Sequence, residues 1–265
     1  MPYADLNGAH IHYTDSGGDG DVIVFAHGLL FSGKMYDAQV AHFSPNYRCI
    51  TFDHRGQGQS GVTKDGYDMD TLAEDAVALI KHLELPPCHL VGLSMGGFVA
   101  MRIAARHPEL LKSVTLLDTS AGAEPKNNKP KYWLSNLIAR IFGLWAVTSS
   151  AMKNLFGQTF LNDPARKAEK DKWWHEIAGA SKTGVTRAVT GVINRPACFD
   201  LLGQITLPVG VGVGAEDIAT KPEEAEAIHA AIAGSTLTIF EGSGHSSSIE
   251  TPELVNDLIT QTINR

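Results

Sequence analysis

The sequence predicts an α/β fold: a mostly parallel, doubly wound sheet of about eight strands, interrupted by a helical insertion. Three observations point to it. Short apolar runs alternate with segments of helical period, as expected of strands buried on both faces between layers of helices. Clusters of Gly, Ser, Asn and Asp punctuate them. The alternation stops near Asp118 and resumes at Leu207, leaving between the halves a segment that holds all four tryptophans.

Taken in order, Asn7-Gly8 between short alternating runs reads as a hairpin turn, and 16–20 is a second turn before the apolar run 22–26. Strands follow at 22–26 and 48–52, then helix 69–83, strand 89–93, helix 95–106 and strand 113–117. After the interruption come strand 208–213, a helix around 223–233, strand 236–240 and helix 252–263. The expected organisation is a core of 1–121 and 201–265 around a helical subdomain, 122–200, placed as a candidate lid. Within it, Trp133, Trp145, Trp173 and Trp174 fall in helical patterns, and most of its apolar side chains are expected to pack on the core. The apolar stretch 132–147 is shorter than the ~18–20 residues needed to cross a bilayer and contains Arg140, so no membrane span is expected.

A chain of 265 residues, 43% hydrophobic, suffices for one large core and such an insertion. The formal charge of -7 comes from dispersed Asp and Glu, which argues against nucleic acid as a partner. The first ten residues lack a basic stretch followed by an apolar run, so the expected location is cytoplasmic. Cys49, Cys88 and Cys198 are odd in number and widely spaced, which reads as reduced thiols, not a disulfide framework or a metal site. His10 and His12 share a strand face at metal-compatible spacing but lack a third ligand. Gly210, Gly212 and Gly214 lack the G-x-G-x-x-G spacing of dinucleotide loops and read as close packing in a central strand.

The chemistry is expected at Gly92-Leu93-Ser94-Met95-Gly96-Gly97, where a buried strand ends and a helix begins. Composition alone yields about 0.15 chance matches to G-x-S-x-G, so the strand-turn-helix context supplies the specificity. The turn is so tight that side chains two before and two after the serine would collide, and glycine removes them. Ser94 then stands above the sheet as a candidate nucleophile, with the Met95 amide at a helix N-terminus, where developing negative charge is favoured. The loop His27-Gly28-Leu29-Leu30 would lie beside it, offering the Leu29 amide as a second oxyanion donor, while His27 holds the loop.

A serine hydroxyl needs an imidazole to take its proton, and the imidazole needs a carboxylate to fix its tautomer. Gly214-Ala215-Glu216-Asp217 and Gly242-Ser243-Gly244-His245 each follow a strand, in the chain order serine, acid, histidine. Asp217 and His245 are the candidates, with Asp118 the competing acid and Glu216 a weaker rival.

On these motifs the chain resembles the α/β-hydrolase fold family, in its group of small carboxylesterases, enol-lactonases and cofactor-free haloperoxidases, from about residue 21 onward. The resemblance also rests on a D-x-R-G-x-G-x-S signature running from Asp53 to Ser60, and on G-H-S at Gly244, His245 and Ser246 followed by Glu250-Thr251-Pro252-Glu253. It implies a serine hydrolase that cleaves carboxylic esters or lactones through an acyl-enzyme on Ser94, with no cofactor and no metal. Aspartate-nucleophile dehalogenases and epoxide hydrolases are set aside by Ser94. Carbon-carbon bond hydrolases are ranked lower because Leu93 replaces their usual Asn, and perhydrolase or haloperoxidase activity because Leu29 stands where that group has an aromatic residue. A ligand-binding receptor retaining the triad is the alternative from another class. Leu29, Leu30, Phe31 and Met95 are the candidate substrate-binding side chains. Under a tryptophan-rich lid they suggest a closed apolar pocket that favours small-molecule substrates of roughly two to eight acyl carbons. Oligomeric state is left open by the sequence.

Overall fold

The computed structural model describes residues 2–265 and begins with the expected hairpin. Strands β1 (Tyr3–Leu6) and β2 (Ala9–Asp15) pair antiparallel with Leu6 opposite Ala9, so Asn7 and Gly8 alone make the turn. Both take positive φ, 47° and 75°, as a type I′ turn requires.

The chain continues through β3 (Val22–Ala26), α1 (Asp37–Phe43), β4 (Arg48–Phe52), α2 (Met69–His82), β5 (Cys88–Leu93), α3 (Met95–Arg106) and β6 (Leu111–Leu117). Five helices then intervene: α4 (Lys129–Phe142), α5 (Trp145–Leu155), α6 (Gln158–Asn162), α7 (Lys167–Gly179) and α8 (Lys182–Ile193). After the short α9 (Phe199–Leu202), the core resumes with β7 (Val209–Gly214), α10 (Pro222–Ala231), β8 (Thr236–Phe240), α11 (Ser247–Glu250) and α12 (Pro252–Ile263). The sheet order is β1-β2-β4-β3-β5-β6-β7-β8, with β3 to β8 parallel and the hairpin antiparallel at one edge.

Alternation along β3 shows how the two layers form. Val22, Val24 and Ala26 join the cluster under α2, α3 and α10, while Ile23 and Phe25 join the one under α1 and α12. Both faces are therefore covered, and the central strands β3, β5 and β7 are buried along their whole length. In β7 a Cβ on Gly212 would lie 2.5 Å from the Phe240 ring, so close packing does explain the glycines there. All three cysteines are free and buried, and burial pushes the Cys49 thiol up to about 11 and the Cys88 thiol up to about 12.

The insertion departs from the expectation that its apolar side chains mostly pack inward. Trp173 does so, 4% exposed and set edge-on against Phe31 at 5.5 Å between ring centroids. Trp133 and Trp145, in contrast, are 39% and 63% exposed, and Leu134, Leu137, Ile141 and Phe142 are exposed beside them. A 3.6-residue period reveals that a stripe exists, not which way it faces. In α4 the inward side instead carries polar groups, with Asn136 Nδ2 donating to Thr186 O of α8 at 3.1 Å. Among the described residues, no helix is long and apolar enough to cross a membrane.

Candidate active site

In the sheet β3 lies between β4 and β5, so the chain winds outward in opposite directions from the β3–β5 pair. The loops leaving β3 and β5 at such a switch point diverge and open a crevice at the carboxyl edge. The loop after β3 carries 27–31, and the end of β5 carries Ser94.

Ser94 has φ 53° and ψ −111°, a conformation that non-glycine residues seldom adopt. The surroundings enforce it. Its N–H donates to Leu117 O at 2.9 Å and its carbonyl accepts from Thr119 Oγ1 at 2.8 Å, tying the turn to the end of β6. A Cβ on Gly92 would lie 2.4 Å from Gly96 O, and one on Gly96 would lie 1.9 Å from Ala26 O. The Ser94 side chain makes no capping bond to α3. Its Oγ lies 2.8 Å from His245 Nε2.

His245 follows β8 and reaches back over the edge, with Nδ1 2.8 Å from Asp217 Oδ2. Burial would lower the basicity of this imidazole, but the Asp217 charge and hydrogen bond outweigh it, and the pKa is raised above the ordinary histidine value. The Asp217 carboxylate also accepts from the amides of Ala219 and Thr220 at 2.7 and 3.0 Å and from Thr220 Oγ1 at 2.9 Å, which fixes its orientation.

Asp118, the rival acid, is fully buried but points elsewhere. It accepts from Gly214 N at 2.9 Å and from Ser247 N and Oγ at 3.1 and 2.5 Å, joining the ends of β6 and β7 to α11. Burial, reinforced by the charge of Asp217, pushes its carboxyl up to about 7. Glu216 turns outward and accepts from Thr159 N and Oγ1 at 2.9 and 2.5 Å. His27 holds the β3 loop: its Nδ1–H donates to Gly28 O at 2.7 Å and its Nε2 accepts from His54 N at 2.9 Å. His12 bonds to Asp53 at 3.0 Å and His10 to Asp5 at 2.7 Å.

Among the described residues, neither the Leu29 nor the Met95 amide has a protein acceptor. The neighbouring Leu30 amide donates to Gln57 Oε1 at 2.9 Å, and Leu30 takes φ 73°. The Asp53–Ser60 segment is thus a support for the β3 loop. Asp53 Oδ1 accepts from Gly33 N at 2.8 Å, Arg55 forms a buried two-pronged ion pair with Asp75 at 2.7 Å, and Gln57 grips Leu30.

A cavity of about 190 Å³ opens over Ser94 and His245. Leu29, Leu30 and Phe31 line it, as the sequence suggested, together with Phe98, Leu144, Val147, Leu155 and Ile177. Met95 does not line it: its side chain is fully buried in the core beneath the turn, with Sδ 3.8 Å from Gln57 Nε2. This corrects its assignment as a substrate-binding side chain, because the first residue of a helix after so tight a turn points back into the core. None of the tryptophans lines the cavity either. Two polar residues escape sequence reasoning. Thr220 Oγ1 sits 3.0 Å from His245 Nδ1, and the buried Arg195 pairs with Glu124 at 2.8 Å in the cavity wall.

A family model described as alpha/beta hydrolase fold matches residues 21–252. The chain is 29% identical over 251 residues to 3-oxoadipate enol-lactonase 2 of Acinetobacter baylyi, covering 93% of this chain and 90% of that one. Among solved structures it superposes on the enol-lactonase from Burkholderia xenovorans with a TM-score of 0.93 at 24% identity, covering 100% of both chains, a likeness of fold. It also superposes on a thermophilic esterase from Thermogutta terrifontis with a TM-score of 0.90 at 28% identity, covering 99% of this chain and 97% of that one.

Proposed function

Since the chain belongs to the alpha/beta hydrolase fold family and is a hydrolase of the ester or lactone type, we propose that it cleaves small to medium apolar esters or lactones through an acyl-enzyme on Ser94. The observation that carries this reading is the unbroken chain of contacts from Ser94 Oγ through His245 to Asp217, at 2.8 Å each, opening onto an apolar cavity.

In this reading His245 takes the Ser94 proton as Oγ attacks the carbonyl carbon, and Asp217 holds the imidazole in the right tautomer and stabilises the imidazolium. The Leu29 and Met95 amides, free of protein acceptors, receive the developing oxyanion. Collapse of the tetrahedral intermediate breaks the C–O bond as His245 returns its proton to the departing alkoxide. In a lactone that alkoxide stays tethered to the acyl group. Water then repeats the sequence: His245 takes its proton, hydroxide attacks the acyl carbon, and Ser94 leaves reprotonated with release of the acid. The helices 129–193 act as the lid. Neither cofactor nor metal enters any step.

Acyl length is limited by volume. The cavity of about 190 Å³ offers finite room for an acyl chain. Each buried methylene adds about 0.8 kcal/mol until that room is filled. We expect kcat/KM across p-nitrophenyl esters and matching lactones to peak at roughly two to eight acyl carbons and then fall, with Ser94→Ala lowering kcat by at least ~10³ at nearly unchanged KM. A rate still climbing at about sixteen carbons overturns the pocket argument. A Ser94→Ala enzyme keeping more than about a tenth of its kcat overturns the nucleophile.

A further inference from the structure

Helix α4 has its apolar stripe on the outside. Leu134, Leu137 and Ile141 fall at helical spacing on one face, and Phe142 and Trp145 extend it around the α4–α5 corner; these five are 53–63% exposed. The opposite face of α4, at Ser135, Asn136 and Ala139, lines the cavity. A surface helix of a water-exposed protein normally has the reverse arrangement.

Charge singles out the same region. From residue 125 to 162 there are five basic side chains, Lys126, Lys129, Lys131, Arg140 and Lys153, and no acidic one. The whole chain carries 22 basic and 29 acidic groups, so the remainder carries 17 against 29. Elsewhere cations are commonly paired, as Arg48 is with Asp15 and Lys34 with Glu176, yet none of these five has a carboxylate within 4.0 Å among the described residues. Four of them, all but Lys129, are exposed, with Lys131 at the rim of the cavity and the others away from it.

We propose that the α4–α5 face docks on an anionic lipid bilayer, lying in the interface without spanning it. A fourteen-residue helix is about 21 Å long and lies flat, with its apolar stripe among the acyl chains and its aromatic side chains at headgroup level. Lysine and arginine stems cover apolar surface while their charges reach anionic headgroups. Charge also decides against a second copy of the chain meeting face to face. A two-fold contact would set the five unpaired cations against themselves, whereas an anionic surface complements them.

Co-sedimentation tests this with the whole enzyme and two kinds of vesicle, phosphatidylcholine alone and phosphatidylcholine containing one quarter phosphatidylserine. The expected result is partitioning at least about tenfold stronger onto the anionic vesicles, lost as salt rises from about 0.1 M to about 1 M. Leu137→Glu combined with Ile141→Glu should abolish binding. Arg140→Gln combined with Lys153→Gln should weaken it about tenfold, and both double variants should keep wild-type kcat/KM on a soluble short ester. Wild-type protein that stays in solution with anionic vesicles overturns the proposal, as does equal, salt-insensitive binding to both kinds. Light scattering that shows a dimer which Leu137→Glu/Ile141→Glu converts to monomer would assign the face to a second copy instead.

Discussion

At the carboxyl edge of the sheet there is no room for one added carbon: a Cβ on Gly96 would sit 1.9 Å from Ala26 O, and one on Gly214 would sit 2.1 Å from Gly244 O. On the outer face of α4, Leu134, Leu137 and Ile141 stand more than half exposed. One region dictates its residues by geometry, and the other leaves them to whatever the surface must meet. Residue type at the edge therefore carries information about three-dimensional position, while residue type in the insertion carries little.

The largest expected effect sharpens this contrast within the edge itself. Asp217→Asn should lower kcat/KM about 10³-fold or more, because the amide leaves the imidazole in the wrong tautomer. Asp118→Asn should cost less than about tenfold, since Asp118 touches Ser247 and Gly214 and not His245. The pH profile provides the second readout. The proposed mechanism requires neutral His245, so kcat/KM should rise with pH through one ionisation, placed above the ordinary histidine value by the Asp217 charge. Asp217→Asn removes the strongest influence that raises this pKa, so its residual activity should have its midpoint at lower pH. A larger loss in Asp118→Asn would make Asp118 the orienting acid.

Stability offers the next test. Gly96→Ala forces backbone apart at the turn and should destabilise by about 3 kcal/mol or more, whereas Leu137→Ser on α4 should stay within about 0.5 kcal/mol of wild type. Urea midpoints measured on both variants compare the two regions directly, and similar losses would erase the distinction. The smallest effect belongs where the regions meet. Val147→Phe fills part of the cavity from the insertion side and should remove room for about two methylenes, lowering kcat/KM about tenfold for an eight-carbon ester and leaving a two-carbon ester unchanged. An unchanged length profile would mean that Val147 does not bound the acyl site.

The same contrast explains what could be read in advance. Gly92 to Gly97 announced a strand-turn-helix because only glycine fits the collisions there, and the order of Ser94, Asp217 and His245 followed from strands ending at one edge. The direction of the α4 stripe was not readable, because periodicity is blind to sign. Met95 departs from the expectation for a related reason: its amide belongs to the turn but its side chain belongs to the core. Thr220 and Arg195 carry no local signal because they act on His245 and Glu124, 25 and 71 positions away in the chain.

Both ends of the insertion are footed on the core. Beside His245, Gly157 N donates to Glu250 at 2.8 Å, Thr159 is held by Glu216, and Ser246 Oγ donates to Leu155 O at 2.7 Å. At the other end, α8 rests on the sheet loops so closely that a Cβ on Gly184 would lie 1.8 Å from Gly56 O, and Arg187 reaches Thr63 O. The insertion is therefore an arch with two abutments, and α4 with the start of α5 is its span. The contacts at the first abutment join the insertion to the same loop that carries His245, so the footing of the arch and the placing of the imidazole are one piece of structure.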